Sequence, residues 1–165
     1  MALINRNFRT GLLTVIAAFM LAIMPLPDWA VKFRPDWVTL VMIYWAMTIP
    51  DRIGVISAWL AGLMLDVSYG TLLGQQAAGL VIVIYVIHMQ HQRLRAASLI
   101  QQAIVIFFLL LIKQLLVLWV DGILGRAPDI WYYFMPTITS TLLWPWLYLI
   151  LRDLHRKFGR IPAYS

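Results

Sequence analysis

Few side chains of this 165-residue chain carry groups that could do chemistry, and most of them lie in or beside apolar runs. Asp66 and Lys113 are the charged candidates, and Gln75, Gln76 and Gln114 are the polar ones. An ionisable group inside a membrane is energetically costly, so such a residue is treated as functional. For Lys113 two hypotheses follow. Either its long side chain reaches the nearer interface, or it forms an ion pair with Asp66.

Other reactive groups do not form a recognisable site. His88 and His91 lie three residues apart, but two ligands beside a basic segment fall short of a metal site. The chain contains no cysteine, which excludes disulfides and thiolate chemistry. No catalytic triad, carboxylate pair, phosphate loop or dinucleotide fingerprint occurs. The sequence therefore predicts a protein that is not an enzyme, with no catalytic residue, metal or cofactor.

Asp66 belongs to a row of mostly small residues that recur every four positions, namely Gly54, Ala58, Gly62, Asp66, Gly70 and Gly74. Residues four apart lie on one face of a helix, where small side chains allow a second helix to approach closely. We expect the first four to share one helix and the last two glycines to shape the following turn with positive φ. The row fits a generic helix contact, but the intramembrane acid favours a functional role.

The elements that position these residues follow from the composition. Hydrophobic residues make up 62% of the chain and charged residues 12%, which leaves too little polar surface for a soluble domain. The sequence predicts an integral membrane protein with a single domain over residues 1–165. Its net charge of +6 comes from scattered basic residues. These are typical of topology markers and contacts with anionic lipids, and not of nucleic-acid binding.

Six apolar runs predict an all-α bundle of about six transmembrane helices, at residues 11–24, 37–49, 53–66, 77–89, 99–120 and 137–151. Several runs are shorter than the roughly 20 residues that cross a bilayer. We therefore expect the helices to extend into their flanks or the membrane to thin locally. Residues 88–98 are predicted to form a basic loop, and residues 121–136 an aromatic-rich linker.

Local signals at the start of the second and third spans predict their helix ends. Arg34-Pro35-Asp36-Trp37 opens the second span. Proline suits the first helical position, and an acid is favourable at a helix N-terminus. Asp51 is predicted to cap the third helix. The turn at residues 50–52 is so short that these two spans must be antiparallel neighbours.

The last span contains Trp144-Pro145-Trp146. Pro145 cannot bond the carbonyl of Thr141, and we expect the hydroxyl of Thr141 or Ser140 to satisfy the freed groups. The two tryptophans would form a wide apolar surface, which serves either for docking or for bending the helix around the bundle.

Basic residues are distributed unequally between the two sides of the predicted membrane. With the N-terminus inside, the inner segments hold nine arginines and lysines and the outer loops hold three, namely Lys32, Arg34 and Arg126. Such a bias places both termini in the cytoplasm and Asp66 near the outer face.

Several of these motifs, in this order and spacing, resemble the MreD family of bacterial rod shape-determining proteins. They comprise Phe33-Arg34-Pro35-Asp36-Trp37, Tyr44-Trp45-Ala46, the block from Gly62 through Asp66 and Gly70 to Gly74, Leu143-Trp144-Pro145-Trp146, and the basic tail. The resemblance runs from residue 33 to the C-terminus. The Trp-Pro-Trp element is similar to that of the proteobacterial branch.

The resemblance implies a non-enzymatic scaffold of the cell-elongation complex in the bacterial inner membrane. It also implies the partners MreC, the MreB filament, RodA and its class B transpeptidase, with a role in lateral peptidoglycan synthesis. It further implies kinship with the S-component fold of vitamin-uptake transporters. The alternative hypothesis is therefore a small-molecule-binding subunit of a transporter, for which the sequence offers few convergent polar groups.

Overall fold

A computed structural model describes residues 2–126 and 129–159, and every regular element in these ranges is an α-helix. The helices are α1 Ala2–Ile23, α2 Asp28–Val31, α3 Trp37–Thr48, α4 Val55–Tyr69, α5 Gln75–Ala96, α6 Leu99–Ile123 and α7 Ile130–Gly159. The six longer helices run alternately up and down. We call the end at which α1 begins and α7 ends the proximal end, and the other the distal end.

Three of these helices are long and apolar enough to cross a membrane, namely α1, α6 and α7. The chain is therefore a helical membrane protein. Helices α3 and α4 are apolar but shorter, with 12 and 15 residues. Helix α5 has 22 residues, and its last turn carries Arg93 and Arg95. A count of six spans stays a prediction.

Helix bounds differ from the predicted spans mainly in polar and aromatic flanks. Helix α5 continues to Ala96, so most of the predicted basic loop at 88–98 is helical. Helix α7 begins at Ile130, so the predicted linker at 121–136 contains a helix start. The apolar run marks only the membrane-facing part of a helix, whereas its hydrogen bonds continue through Gln, Arg and Ala, which have high helix propensity.

The shortest spanning candidate, α3, lies at the centre of the fold. Its ten residues from Val38 to Met47 are all buried, and it packs against α1, α5 and α7. A helix that is apolar on every side is expected to be surrounded by other helices. Helix α6 packs against α5 and α7, whereas α4 packs chiefly against α5.

The predicted start of the second span at Trp37 is confirmed, but the placement of Pro35 inside that helix and the predicted start and cap of the third helix were wrong. Helix α3 begins at Trp37 and its N-cap is Asp36, whose carboxylate accepts from Thr39 N at 3.3 Å, so Pro35 precedes the cap. Helix α4 begins at Val55 after the N-cap Gly54, and no side chain caps it. Asp51 lies outside that helix because residues 49–53 form a hydrogen-bonded turn, with Ile53 N donating to Ile49 O.

Of the row of small residues, Ala58, Gly62 and Asp66 lie in α4 whereas Gly54 is its N-cap, and Gly62 brings α4 close to α5. A Cβ atom added at Gly62 would lie 2.2 Å from Ala77 Cα and 2.7 Å from Ala77 N. Both are backbone atoms, so no side-chain movement can make room for it. Gly70 and Gly74 have positive φ angles of 65° and 99°, as the sequence predicted for the turn.

Candidate functional site

A polar cluster at the distal end joins three helices around Lys113. Its ammonium is bonded to Asp36 and, at 2.9 Å, to Thr39 Oγ1. The backbone N–H of Asp36 in turn donates to Ser140 Oγ at 2.9 Å. The cluster therefore links α6, the start of α3 and α7. Lys113 is only 3% exposed, so its side chain does not reach the interface. Its charge is balanced by Asp36 inside the protein.

The hypothesis that Lys113 pairs with Asp66 was wrong, because Lys113 pairs with Asp36. Asp66 is fully buried, and the start of α5 occupies both of its carboxylate oxygens. Oδ1 accepts from Thr71 Oγ1 at 2.7 Å and Gln76 N at 2.8 Å. Oδ2 accepts from Gly74 N at 2.8 Å and Ala77 N at 3.4 Å.

This arrangement makes Asp66 the cap of the next helix in the chain. Gly74, the N-cap residue of α5, has no side chain to offer, and the carboxylate from α4 takes its place. The negative charge also lies at the positive end of the α5 dipole. The acid is thus held by hydrogen bonds to neutral donors and needs no cation.

Sequence reasoning missed Gly79, which makes the position of Lys113 possible. A Cβ atom at Gly79 would lie 2.7 Å from Lys113 Cγ, so the lysine stem passes directly over this glycine of α5. No four-residue spacing includes Gly79, and only the packing of α6 on α5 identifies it.

Arg34 fixes the end of α1 to the same region. Its Nη1 donates to Ala22 O and its Nη2 to Met24 O, both at 2.6 Å. These carbonyls lie in the last turn of α1 and just after it, where no intrahelical donor remains. The arginine of the predicted motif therefore joins α1 to the start of α3.

The residues around this cluster enclose a distal cavity of about 270 Å³. It is lined by Val31, Arg34, Pro35, Asp36, Tyr69, Gln76, Leu110, Lys113, Gln114, Pro136, Thr137 and Ser140. Of the predicted site residues, the structure thus brings together Arg34, Pro35, Asp36 and Lys113. Asp66 lies beside them, because the backbone of Gln76 bonds to it. More polar side chains converge here than the sequence indicated.

The remaining predicted residues lie elsewhere. Trp37 is a half-buried residue in the first turn of α3, and Gly54 and Ala58 lie toward the opposite end of α4. Trp144 is fully buried and its Nε1 donates to Gln102 Oε1 at 3.3 Å, whereas Trp146 is 58% exposed. Residues two apart point to opposite sides of a helix, so the predicted joint tryptophan surface was wrong.

Helix α7 continues through Pro145. The hydroxyl of Thr141 donates to Thr137 O at 2.8 Å, and Ser140 Oγ accepts from Asp36 N. Neither hydroxyl bonds the carbonyl freed by the proline, so that prediction was also wrong. Ser140 instead belongs to the distal polar cluster.

A second buried polar cluster was not predicted. Gln75 Nε2 donates to Asp121 Oδ1 at 2.9 Å and to Val117 O at 3.1 Å, and the hydroxyl of Tyr133 donates to Asp121 Oδ2. It joins the start of α5, the end of α6 and the start of α7. The sequence signal was weak because Asp121 and Tyr133 lay in the segment predicted as a linker.

His88 and His91 lie on α5 with their ring centroids 5.8 Å apart, and His91 Nδ1 lies 2.6 Å from His88 O. Over residues 2–126 and 129–159, no group of three or more His, Cys, Asp or Glu residues is placed to hold a metal ion.

The fold and the buried polar cluster define a helical membrane protein whose distal helix ends are joined by the Lys113–Asp36 ion pair and by hydrogen bonds of Arg34 and Asp66. The family model described as rod shape-determining protein MreD matches residues 4–154. The chain therefore belongs to the MreD family, which assigns it a role in determining cell shape. It is similar to the rod shape-determining protein MreD of Haemophilus influenzae, with 32% identity over 148 residues that cover 87% of this chain and 91% of the relative. No solved structure gives a significant match.

Proposed function

We propose that the protein is a non-enzymatic scaffold of the rod complex in the bacterial inner membrane. In this role it supports lateral peptidoglycan synthesis together with MreC, the MreB filament, RodA and its class B transpeptidase. The family match over residues 4–154 carries this proposal. The polar cluster supports it, because Lys113, Asp36 and Asp66 are engaged in holding helices together.

The scaffold proposal is tested by co-purification of the solubilised, tagged full chain with its membrane partners. We expect MreC to be recovered directly, and RodA and the transpeptidase to be recovered through the complex. Lys113→Met should reduce recovery, whereas Lys157→Met, which changes an exposed lysine at the proximal end, should not. The proposal would be contradicted if an unrelated membrane protein were recovered with the tagged chain but none of MreC, MreB, RodA and the transpeptidase were.

We further propose that the chain crosses the membrane six times, with both termini in the cytoplasm. The nine-to-three distribution of basic residues supports this orientation, and the distal end then faces the periplasm. A reporter fused after the last residue should give a cytoplasmic signal, and one inserted at residues 124–126 a periplasmic signal. Signals from the same side at both positions would contradict the six-span topology.

A second candidate function rests on the distal cavity. The side chains of Gln76, Gln114 and Thr137 line it and do not take part in the ion-pair cluster. Convergent polar groups in a cavity are typical of small-molecule sites. The alternative is therefore a small-molecule-binding subunit, with a bundle that resembles the S-component fold of vitamin-uptake transporters.

The two candidates make different demands on the cavity. Native mass spectrometry of the purified chain should reveal a retained small molecule only if the second is correct. Gln114→Ala should then lose that molecule, whereas Gln92→Ala, on the exposed part of α5, should retain it. If the protein is a scaffold, both variants should recover the membrane partners as well as the wild type does.

A further inference from the structure

A second cavity, of about 200 Å³, lies at the proximal end between the ends of α3, α5 and α7. We call it the proximal cavity. It is lined by Tyr44, Met47, Thr48, Arg95, Tyr148 and His155. The rings of Tyr44 and Tyr148 meet edge to face with centroids 5.5 Å apart, and the ring of His155 lies 5.5 Å from that of Trp45. The aromatic walls are thus fixed by packing.

Positive charge concentrates around the proximal cavity. Arg95 of α5 lies close enough to act electrostatically on His155 of α7. Arg152 and Arg156, also of α7, act in the same way on the hydroxyl of Tyr44. Arg95 therefore lines the cavity together with Tyr44 and His155, and Arg152 and Arg156 lie on the helix that carries His155.

Among the described residues only Arg152 of these three arginines has an ion-pair partner, namely Asp153. Arg152 Nε is buried and makes no hydrogen bond, and Asp153 Oδ1 lies 4.0 Å from it, beyond hydrogen-bonding distance.

The cavity also offers neutral donors beside this charge. Tyr44 and Tyr148, which line it, each carry a hydroxyl group, whereas the hydroxyl of Thr48 already donates to Tyr44 O at 2.9 Å. Guanidinium groups together with hydroxyl donors are the usual partners of phosphate, because arginine presents its N–H groups in a planar fork that fits phosphate oxygens.

We propose that the proximal cavity binds a phosphate group, with Arg95, which lines it, as the charged ligand. A phospholipid headgroup and a free phosphate ester both supply this chemistry. The site is independent of the scaffold proposal, since it depends only on the geometry at the proximal end.

The test uses the full chain purified in a neutral detergent and two phosphate probes. In the lipid arm, native mass spectrometry compares retention of phosphatidylglycerol with that of a glucosyl diacylglycerol with the same acyl chains, which has no phosphate. In the soluble arm, calorimetry compares glycerol 3-phosphate with glycerol. We expect the phosphate-bearing molecule to be preferred in at least one arm, and that arm identifies the source.

Arg95→Gln should weaken the preferred probe by about tenfold, equivalent to about 1.4 kcal/mol. Arg93→Gln is the matched control, since it removes the same charge two residues away in the last turn of α5 but outside the cavity. Arg152→Gln provides a second variant, and thermal unfolding checks that each variant is folded. No preference for phosphate in either arm, or an equal loss in Arg93→Gln and Arg95→Gln, would overturn the proposal.

Discussion

Replacing Asp66 tests whether its carboxylate acts as a structural cap. Four donors depend on it, namely the hydroxyl of Thr71 and the backbone N–H groups of Gly74, Gln76 and Ala77. In Asp66→Leu all four lose their acceptor. At the low end of about 1 kcal/mol for each unpaired donor, the free energy of unfolding should fall by about 4 kcal/mol.

Asp66→Asn should be intermediate. Its amide oxygen can retain two of the four donors, while its NH₂ group faces the other two with no acceptor. The same arithmetic gives a loss of about 2 kcal/mol. The measurement is denaturant unfolding in detergent, together with rescue of rod shape in a depleted strain and an immunoblot of membrane levels. Asp153→Asn, at an exposed position on α7, is the control and should match the wild type.

Two results would refute this reasoning. If Asp66→Asn were as stable as the wild type, the second oxygen would not hold the turn at Gly74 and Ala77. If Asp66→Asn were stable and present at normal level but restored rods no better than Asp66→Leu, the charge itself would be needed. That second outcome would favour a role in ion pairing or transport over the structural role.

Two further predictions concern packing and the buried ion pair. Gly62→Leu should reduce membrane abundance and partner recovery, because overpacking costs roughly 1–3 kcal/mol and the added side chain would collide with the backbone of Ala77. Leu63→Ile should have only a mild effect, and equal effects of the two variants would contradict the close approach of α4 to α5. Lys113→Met should lower the free energy of unfolding by about 3 kcal/mol, since it leaves Asp36 without its cation. Adding Asp36→Asn to that variant should recover part of the loss in unfolding experiments, and strictly additive losses would argue against a pair.

The sequence by itself determined the class of protein and the nature of its turns. A hydrophobic share of 62% requires a membrane environment, and the order of motifs indicates the MreD family. Gly70 and Gly74 could be assigned positive φ because such turns favour residues without a Cβ atom. These properties depend on residue type and local spacing, which the sequence displays directly.

Tertiary structure alone decided the partners of the charged groups. The sequence allowed a pair between Asp66 and Lys113, yet Asp66 bonds to the start of α5 and Lys113 to Asp36, 77 positions away. Pairing across helices depends on which helices are neighbours and how each is rotated about its axis. Gly79 admits Lys113 only because α6 crosses α5 at that point. No spacing along the chain encodes such a crossing, because it results from the packing of all the helices together.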